Sequence, residues 1–220
     1  MSAAPKPAAT MNRVHNSVLA AAEKRFLIYL AGRLPAAVNS DHLTALSLLA
    51  MLGAGFAYSQ AGSNLLWLWV VNAMLVLNWF GDSLDGTVAR VRNKQRPKYG
   101  YYIDHVVDAF SAVFLFGGLA ASGFMNPYIA VVVLVAYLLL SIESYLATYS
   151  RNIFNVSHFG FGPTELRILI IIGNLVLLGH AKSRESLFTI GGVIAAAGMI
   201  VVLLIATWRN GKALYDEETR

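Results

Sequence analysis

Six apolar stretches, at roughly 43–60, 65–88, 102–123, 127–149, 165–181 and 187–208, occupy most of this 220-residue chain. Allowing polar residues at their ends, each is long enough to cross the ~30 Å hydrocarbon layer of a bilayer as a helix. Backbone polar groups inside lipid must be paired within the protein, which helices achieve segment by segment. The chain therefore reads as an all-α integral membrane protein with six transmembrane helices. Composition agrees: 57% of residues are hydrophobic and 13% charged, far more apolar than a soluble domain of this length. One compact domain is expected. Cysteine is absent, which excludes disulfides, thiolate catalysis and Cys-based zinc sites.

Residues 1–10 (MSAAPKPAAT) lack an apolar h-region, so no cleavable signal peptide is expected, only a disordered tail. Residues 11–34 are expected to form an interfacial amphipathic helix. In Asn12–Arg33, Val14, Val18, Phe26, Tyr29 and Leu30 recur near helical spacing, with Arg13, Glu23, Lys24 and Arg33 interspersed. Residues 35–210 would be the membrane domain and 211–220 a cytoplasmic tail. The net charge of +5 matters less than where the cations lie. Arg90, Arg92, Lys94, Arg96 and Lys98 fill the loop between the second and third stretches, Arg151 follows the fourth, and Arg209 and Lys212 follow the sixth. The segments near Gln60–Asn64 and Gly123–Asn126 carry no charge, and Gly179–Ser186 carries only Lys182, Arg184 and Glu185. The positive-inside rule then puts both termini, and the acidic motifs described next, on the cytoplasmic side.

Charge at the edge of the apolar stretches is the anomaly. Asp82-Ser-Leu-Asp85-Gly86-Thr-Val-Ala89-Arg90 closes the second, and Gly100-Tyr-Tyr-Ile-Asp104-His-Val-Val-Asp108 opens the third. Asp82, Asp85 and Ala89 share one helical face, as do Asp104 and Asp108. The two stretches are expected to be antiparallel neighbours that bring the acids together. Four carboxylates in one pocket repel one another unless cations neutralise them. Hard oxygen ligands without Cys point to Mg²⁺, Mn²⁺ or Ca²⁺. Magnesium commonly works on phosphates, so a phosphate-bearing substrate follows. Gly86 and Ala89 are small enough to let a ligand approach the helix, Arg90 suits phosphate, and Gly100 suits a tight turn. A single acid at a helix end is usually a cap or a solvated residue, and a basic loop alone usually only sets topology. Arg92 and Lys94 are secondary candidates for substrate contact.

These residues resemble the signature D-x2-D-G-x2-A-R, spacer, G-x3-D-x3-D of the CDP-alcohol phosphotransferase family. Every fixed position is present, and the spacer, Val91 to Tyr99, is one residue longer than usual. The resemblance implies cleavage of the pyrophosphate of a CDP-linked alcohol, transfer of the phosphoryl-alcohol to a hydroxyl acceptor, and release of CMP. It implies Asp82, Asp85, Asp104 and Asp108 as ligands of two Mg²⁺ or Mn²⁺ ions. Asp108 would also be the general base. Gly86, Ala89, Arg90 and Gly100 would line the nucleotide site. Expected partners are CDP-alcohol and lipid substrates, membrane lipids and a second copy of the chain; no nucleic acid is expected. A homodimer could use the small residues Gly117, Gly118, Ala120 and Ala121, or these could pack within the monomer.

Weaker pieces surround the motif. The segment Leu34–Thr44 is similar to a P-N-x-L-T element near the nucleotide, making Asn39 and Thr44 candidates there, although Ser40 and Asp41 also suit a helix cap. Glu143, deep in an apolar run, needs a partner, for which Arg151, Arg167 or the metal site are available. Pro163 and Glu165 suit the first turn of a helix. Glu143, Arg151, Glu165 and Arg167 are the candidates for the acceptor or its phosphate. The Glu143-x-Tyr145 and Gly162-Pro163-x-Glu165 pieces resemble choline/ethanolamine phosphotransferases of the same superfamily, but Leu146 stands where those place a histidine. His105 and His158 are the nearest substitutes, and His105 is expected to point away from the acids. The favoured reaction is phosphatidyl transfer from CDP-diacylglycerol, with aminoalcohol transfer to diacylglycerol as the alternative. More remote are a UbiA-type prenyltransferase, whose Asp spacing and larger span number differ, and a cation transporter, which would place acids at mid-span.

Overall fold

A computed structural model describes residues 12–14, 20–151, 153–155, 163–179 and 184–219; the expected N-terminal tail lies outside these. Among them are seven helices: α1 (Ala20–Arg33), α2 (Ser40–Ala61), α3 (Trp67–Val91), α4 (Pro97–Ser122), α5 (Pro127–Arg151), α6 (Pro163–Gly179) and α7 (Arg184–Glu218). The helix expected from Asn12 instead begins at Ala20, and β1 (Asn12–Val14) pairs in parallel with β2 (Ile153–Asn155). Each apolar stretch becomes one helix, α2 to α7. The last continues as helix through most of the expected tail, to Glu218.

Four helices are long and apolar enough to cross a membrane by length and composition: α2, α4, α5 and α7. The other two differ for identifiable reasons. α6 has 17 residues, about 26 Å at ~1.5 Å per residue, slightly short of a ~30 Å hydrocarbon layer. α3 carries Asn72, Asn78, Asp82 and Asp85 among its apolar residues. Two of its polar side chains, Asn72 through its oxygen and Asn78 through its nitrogen, bond inside the protein. The Tyr58 hydroxyl donates to Asn174 Oδ1 at 2.8 Å, and Asn174 Nδ2 donates to Asn72 Oδ1 at 2.8 Å. This buried chain joins α2, α6 and α3, and Asn78 Nδ2 donates to the Ser47 carbonyl of α2 at 3.0 Å.

α2 is the central helix. Half of its apolar window is buried, against 17% for α5 and α7, whose outward faces carry Val131, Val135, Leu139, Ile194, Val201 and Leu204. Glycines set its close approach to two neighbours. A Cβ on Gly118 of α4 would lie 2.4 Å from the Gly55 carbonyl oxygen, and one on Gly81 of α3 would lie 2.5 Å from that of Leu43. Such contacts suit helices in lipid, where close backbone packing replaces much of the hydrophobic driving force. Gly118 is thereby used within the monomer, while Gly117 remains exposed.

The packing corrects one expectation. Among the described residues, α3 and α4 each pack along α2 rather than extensively along each other. The acidic ends of α3 and α4 are therefore each placed by their packing on α2. The chain crosses between them through Asn93, which takes a left-handed conformation (φ 53°), one that Asn tolerates better than most residues.

Candidate active site

The last turns of α3 present Asp82 and Asp85, and the first turns of α4 present Asp104 and Asp108. The charges of Asp108, Asp82 and Asp85 all repel that of Asp104, so the four carboxylates share one electrostatic neighbourhood. The tightest group is Asp104, His105 and Asp108, each contributing one potential ligand atom, all within 4.8 Å of one another. All four acids are half-buried. A half-buried set of oxygen donors whose mutual repulsion only positive charge relieves fits a hard divalent cation.

Each α3 acid is held by a side chain from another helix. The Thr44 hydroxyl of α2 donates to Asp85 Oδ2 at 2.6 Å, and the Gly86 N–H donates to the other oxygen, Oδ1. Arg167 of α6 pairs with Asp82 Oδ2 at 2.6 Å. Metal ligands are commonly oriented by such partners, whose loss costs roughly 10–100-fold in affinity. Thr44→Val keeps the shape and removes the donor, so it is expected to weaken Mn²⁺ binding by about 10-fold. A Mn²⁺ titration of purified protein with the wild-type midpoint would rule out this role for Thr44.

His105 does not point away from the acids. Its Nδ1 lies 3.9 Å from Asp108 Oδ2, because i and i+3 share a helical face. Its ring stacks on Tyr145 of α5 (4.4 Å between centroids, 19° between planes) and meets the edge of Tyr101 at 4.1 Å. His158, the other candidate, lies outside the described residues, as does Gly162.

The small residues divide. Gly86 is covered by the Arg90 guanidinium, which folds back so that a Cβ on Gly86 would lie 3.3 Å from Arg90 Nη1; Arg90 Nη2 donates to Thr87 Oγ1 at 3.0 Å. Gly100 makes no tight turn. α4 already begins at Pro97, which suits the first helical turn, and a Cβ on Gly100 would meet nothing within 4 Å.

Asn39 caps α2 in a reciprocal box with His42: the His42 N–H donates to Asn39 Oδ1 at 2.9 Å and the Asn39 N–H to His42 Nδ1 at 3.4 Å. The cap is Asn39, with Ser40 and Asp41 already inside the helix. Asn39, Asp41, Ala89, Lys94 and Gln95 line a cleft of about 400 Å³ beside the acidic end of α3. Arg92 borders it as an anchor. Its Nη2 donates to the carbonyls of Leu34 (2.8 Å) and Pro35 (3.1 Å), and its Nη1 to that of Val38. These bonds tie the α1–α2 linker to the end of α3. Arg96 pairs with Asp41 across the mouth and stacks over Tyr99.

Two residues from the acceptor set form a separate group. Asn210 Nδ2 donates to Glu143 Oε1 at 2.6 Å, and Arg151 Nη1 donates to Asn210 Oδ1 at 2.6 Å. The partner that Glu143 required is thus Asn210 of α7, which the sequence reading did not single out. Arg151, Trp208, Arg209, Lys212 and Asp216 line a cavity of about 330 Å³ at the ends of α5 and α7. Glu165 lies in the first turn of α6. Glu23 of α1 points inward: one carboxylate oxygen accepts from Trp79 Nε1 (2.7 Å), Thr164 Oγ1 (3.0 Å) and Ser83 Oγ (3.5 Å). Leu27 and Ala31 bury beside it against Leu84 and Val88, so α1 docks on the motif half of α3. Only Asn78 had a visible signal: it lies one turn before Asp82, on the same face of an apolar helix.

A family profile described as CDP-alcohol phosphatidyltransferase matches residues 38–208, more than half of the chain. No curated protein matches it.

Proposed function

The chain belongs to the CDP-alcohol phosphatidyltransferase family and is a transferase, and on that premise we propose that it synthesises a phospholipid by moving phosphatidyl from CDP-diacylglycerol to a hydroxyl acceptor. The acceptor oxygen attacks the phosphorus that carries the lipid. Its proton passes to an Asp108 carboxylate oxygen, and the P–O bond to the cytidine-bearing phosphate breaks, releasing CMP. Asp82, Asp85, Asp104 and Asp108 would hold two Mg²⁺ or Mn²⁺ ions, which would supply charge stabilisation on the pyrophosphate and leaving CMP. Thr44 holds the Asp85 carboxylate, and the cleft at Asn39, Ala89 and Lys94 receives the nucleotide, with Gly86, Arg90 and Gly100 along its path. The single observation behind this reading is that the ends of α3 and α4 present the four signature carboxylates, with Asp104 feeling the charges of Asp82, Asp85 and Asp108.

The same reading sets the topology. α2 to α7 cross the membrane as six spans, forming a domain over residues 35–210 with α1 on the surface. The basic loop at 90–98 keeps the acids and both termini on the cytoplasmic side. The resemblance also implies a homodimer. A second reading, aminoalcohol transfer to diacylglycerol, is favoured by the Tyr101, His105 and Tyr145 cluster beside Asp108, since aromatic faces attract a cationic alcohol.

The test is CMP release from membranes across a matrix of CDP-linked donors against hydroxyl acceptors. We expect release with CDP-diacylglycerol, abolished by EDTA and restored by Mg²⁺ or Mn²⁺. Release only with CDP-choline or CDP-ethanolamine plus diacylglycerol would select the second reading. Release insensitive to EDTA would refute the metal site.

A further inference from the structure

Arg167 sits on α6, a short helix whose residues beyond Thr164, Glu165 and Asn174 are mostly apolar, and an unpaired guanidinium there would be costly. Its side chain is 12% exposed, and two of its nitrogens point inward to one face of α3. Nε donates to Asn78 Oδ1 at 2.8 Å, and Nη2 donates to Asp82 Oδ2 at 2.6 Å. Asn78 and Asp82 are one helical turn apart, so the planar fork spans both rungs. Asn78 is itself 2% exposed and bonded to the Ser47 carbonyl of α2. The chain of contacts Ser47, Asn78, Arg167, Asp82 thus joins three helices and ends on a carboxylate of the acidic cluster.

We propose that Arg167 is a positioning residue for Asp82: it fixes the rotamer of that carboxylate through Oδ2, directs Oδ1 toward the metal, and cancels one charge of the cluster. This rests on the function proposed above. It also assigns Arg167 a task other than binding the acceptor's phosphate, since the donors on Nε and Nη2 are engaged within the protein. Lysine cannot replace it, because a single ammonium on a flexible stem cannot grip Asn78 and Asp82 together.

The sign of the effect separates the roles. By Coulomb's law alone, deleting a cation beside the cluster strengthens metal binding. Loss of ligand orientation weakens it.

The experiment is Mn²⁺ binding, read by electron paramagnetic resonance, to the purified full chain in lipid nanodiscs without substrate. Arg167→Gln is expected to raise the Mn²⁺ dissociation constant by about 10-fold or more, and Arg167→Lys by nearly as much. In an Asp82→Asn background, Arg167→Gln adds no further loss, because both act through one carboxylate. In the CMP assay the Mg²⁺ requirement rises in step, while the acceptor KM is unchanged. Thermal unfolding checks folding, and Arg167→Lys, which keeps charge and bulk, decides the matter if Arg167→Gln does not fold. Tighter or unchanged Mn²⁺ binding in the variants, additivity with Asp82→Asn, or a raised acceptor KM at normal Mn²⁺ affinity each overturns the proposal. Wild-type protein that binds no Mn²⁺ would overturn the functional reading along with it. Normal wild-type binding with normal variant binding overturns this inference alone.

Discussion

Asp108→Asn is expected to lower metal-dependent CMP release by about 10²–10⁴-fold, the range for losing a positioned general base. Asn keeps the size of the side chain and one ligand oxygen but gives up the negative charge that accepts a proton. Asp108 is the general base of the proposed reaction. Its side chain is 37% exposed, enough to meet a substrate, and it faces the tyrosines of α5, since Tyr137 and Tyr145 both feel its charge. Initial rates at saturating Mn²⁺ separate proton transfer from weaker metal binding. A loss restored fully by more Mn²⁺ would make Asp108 only a ligand, and a wild-type rate would remove it from the chemistry.

Gly118→Ala should destabilise the protein by about 2 kcal/mol, from two opposing terms. Replacing a helical glycine by alanine gains up to ~1 kcal/mol in propensity. Against that, the new Cβ would lie 2.4 Å from the Gly55 carbonyl oxygen and 2.6 Å from its Cα. Overpacking costs roughly 1–3 kcal/mol or more, and here no side chain can swing aside because the obstruction is backbone. The clash therefore outweighs the propensity gain. Gly117→Ala is the internal control. Its Cβ would meet nothing within 4 Å, so only the gain remains. Thermal unfolding in detergent should separate the adjacent variants, Gly118→Ala melting below wild type and Gly117→Ala at or above it. Equal melting temperatures would mean that α2 and α4 do not meet at Gly55. Because α4 carries Asp104 and Asp108, Gly118→Ala should also lower CMP release.

Features confined to one segment were legible before any coordinates. The length of an apolar run marks a helix wherever that helix packs, and α2 to α7 follow the six stretches closely. The spacing of Asp82, Asp85, Gly86, Ala89 and Arg90 identifies a shared face without reference to the rest of the chain. Errors arose where one segment had to be placed against another. Glu23 read as a surface charge because helical periodicity places it among polar neighbours, yet three donors from α3 and α6 claim its oxygen. Thr44 and Arg167 read only as candidates for substrate contact, and nothing within their own segments showed that each bonds to a motif acid, 41 and 85 residues away respectively. Gly100 read as a turn because α4 was expected to begin later than Pro97.

The sequence by itself determined a helical membrane protein with a four-carboxylate signature, since length, hydropathy and motif spacing are properties of single segments, and the resemblance of that signature to a known family implied a transferase. Only the tertiary structure decided how those carboxylates are held. It set α3 and α4 on either side of α2, brought Thr44 to Asp85 and Arg167 to Asp82, and turned His105 toward Asp108. The physical reason is that a helix fixes which residues share its face, while close contacts such as Gly55 with Gly118 and Gly81 with Leu43 fix the register between helices. That register is a property of pairs of segments.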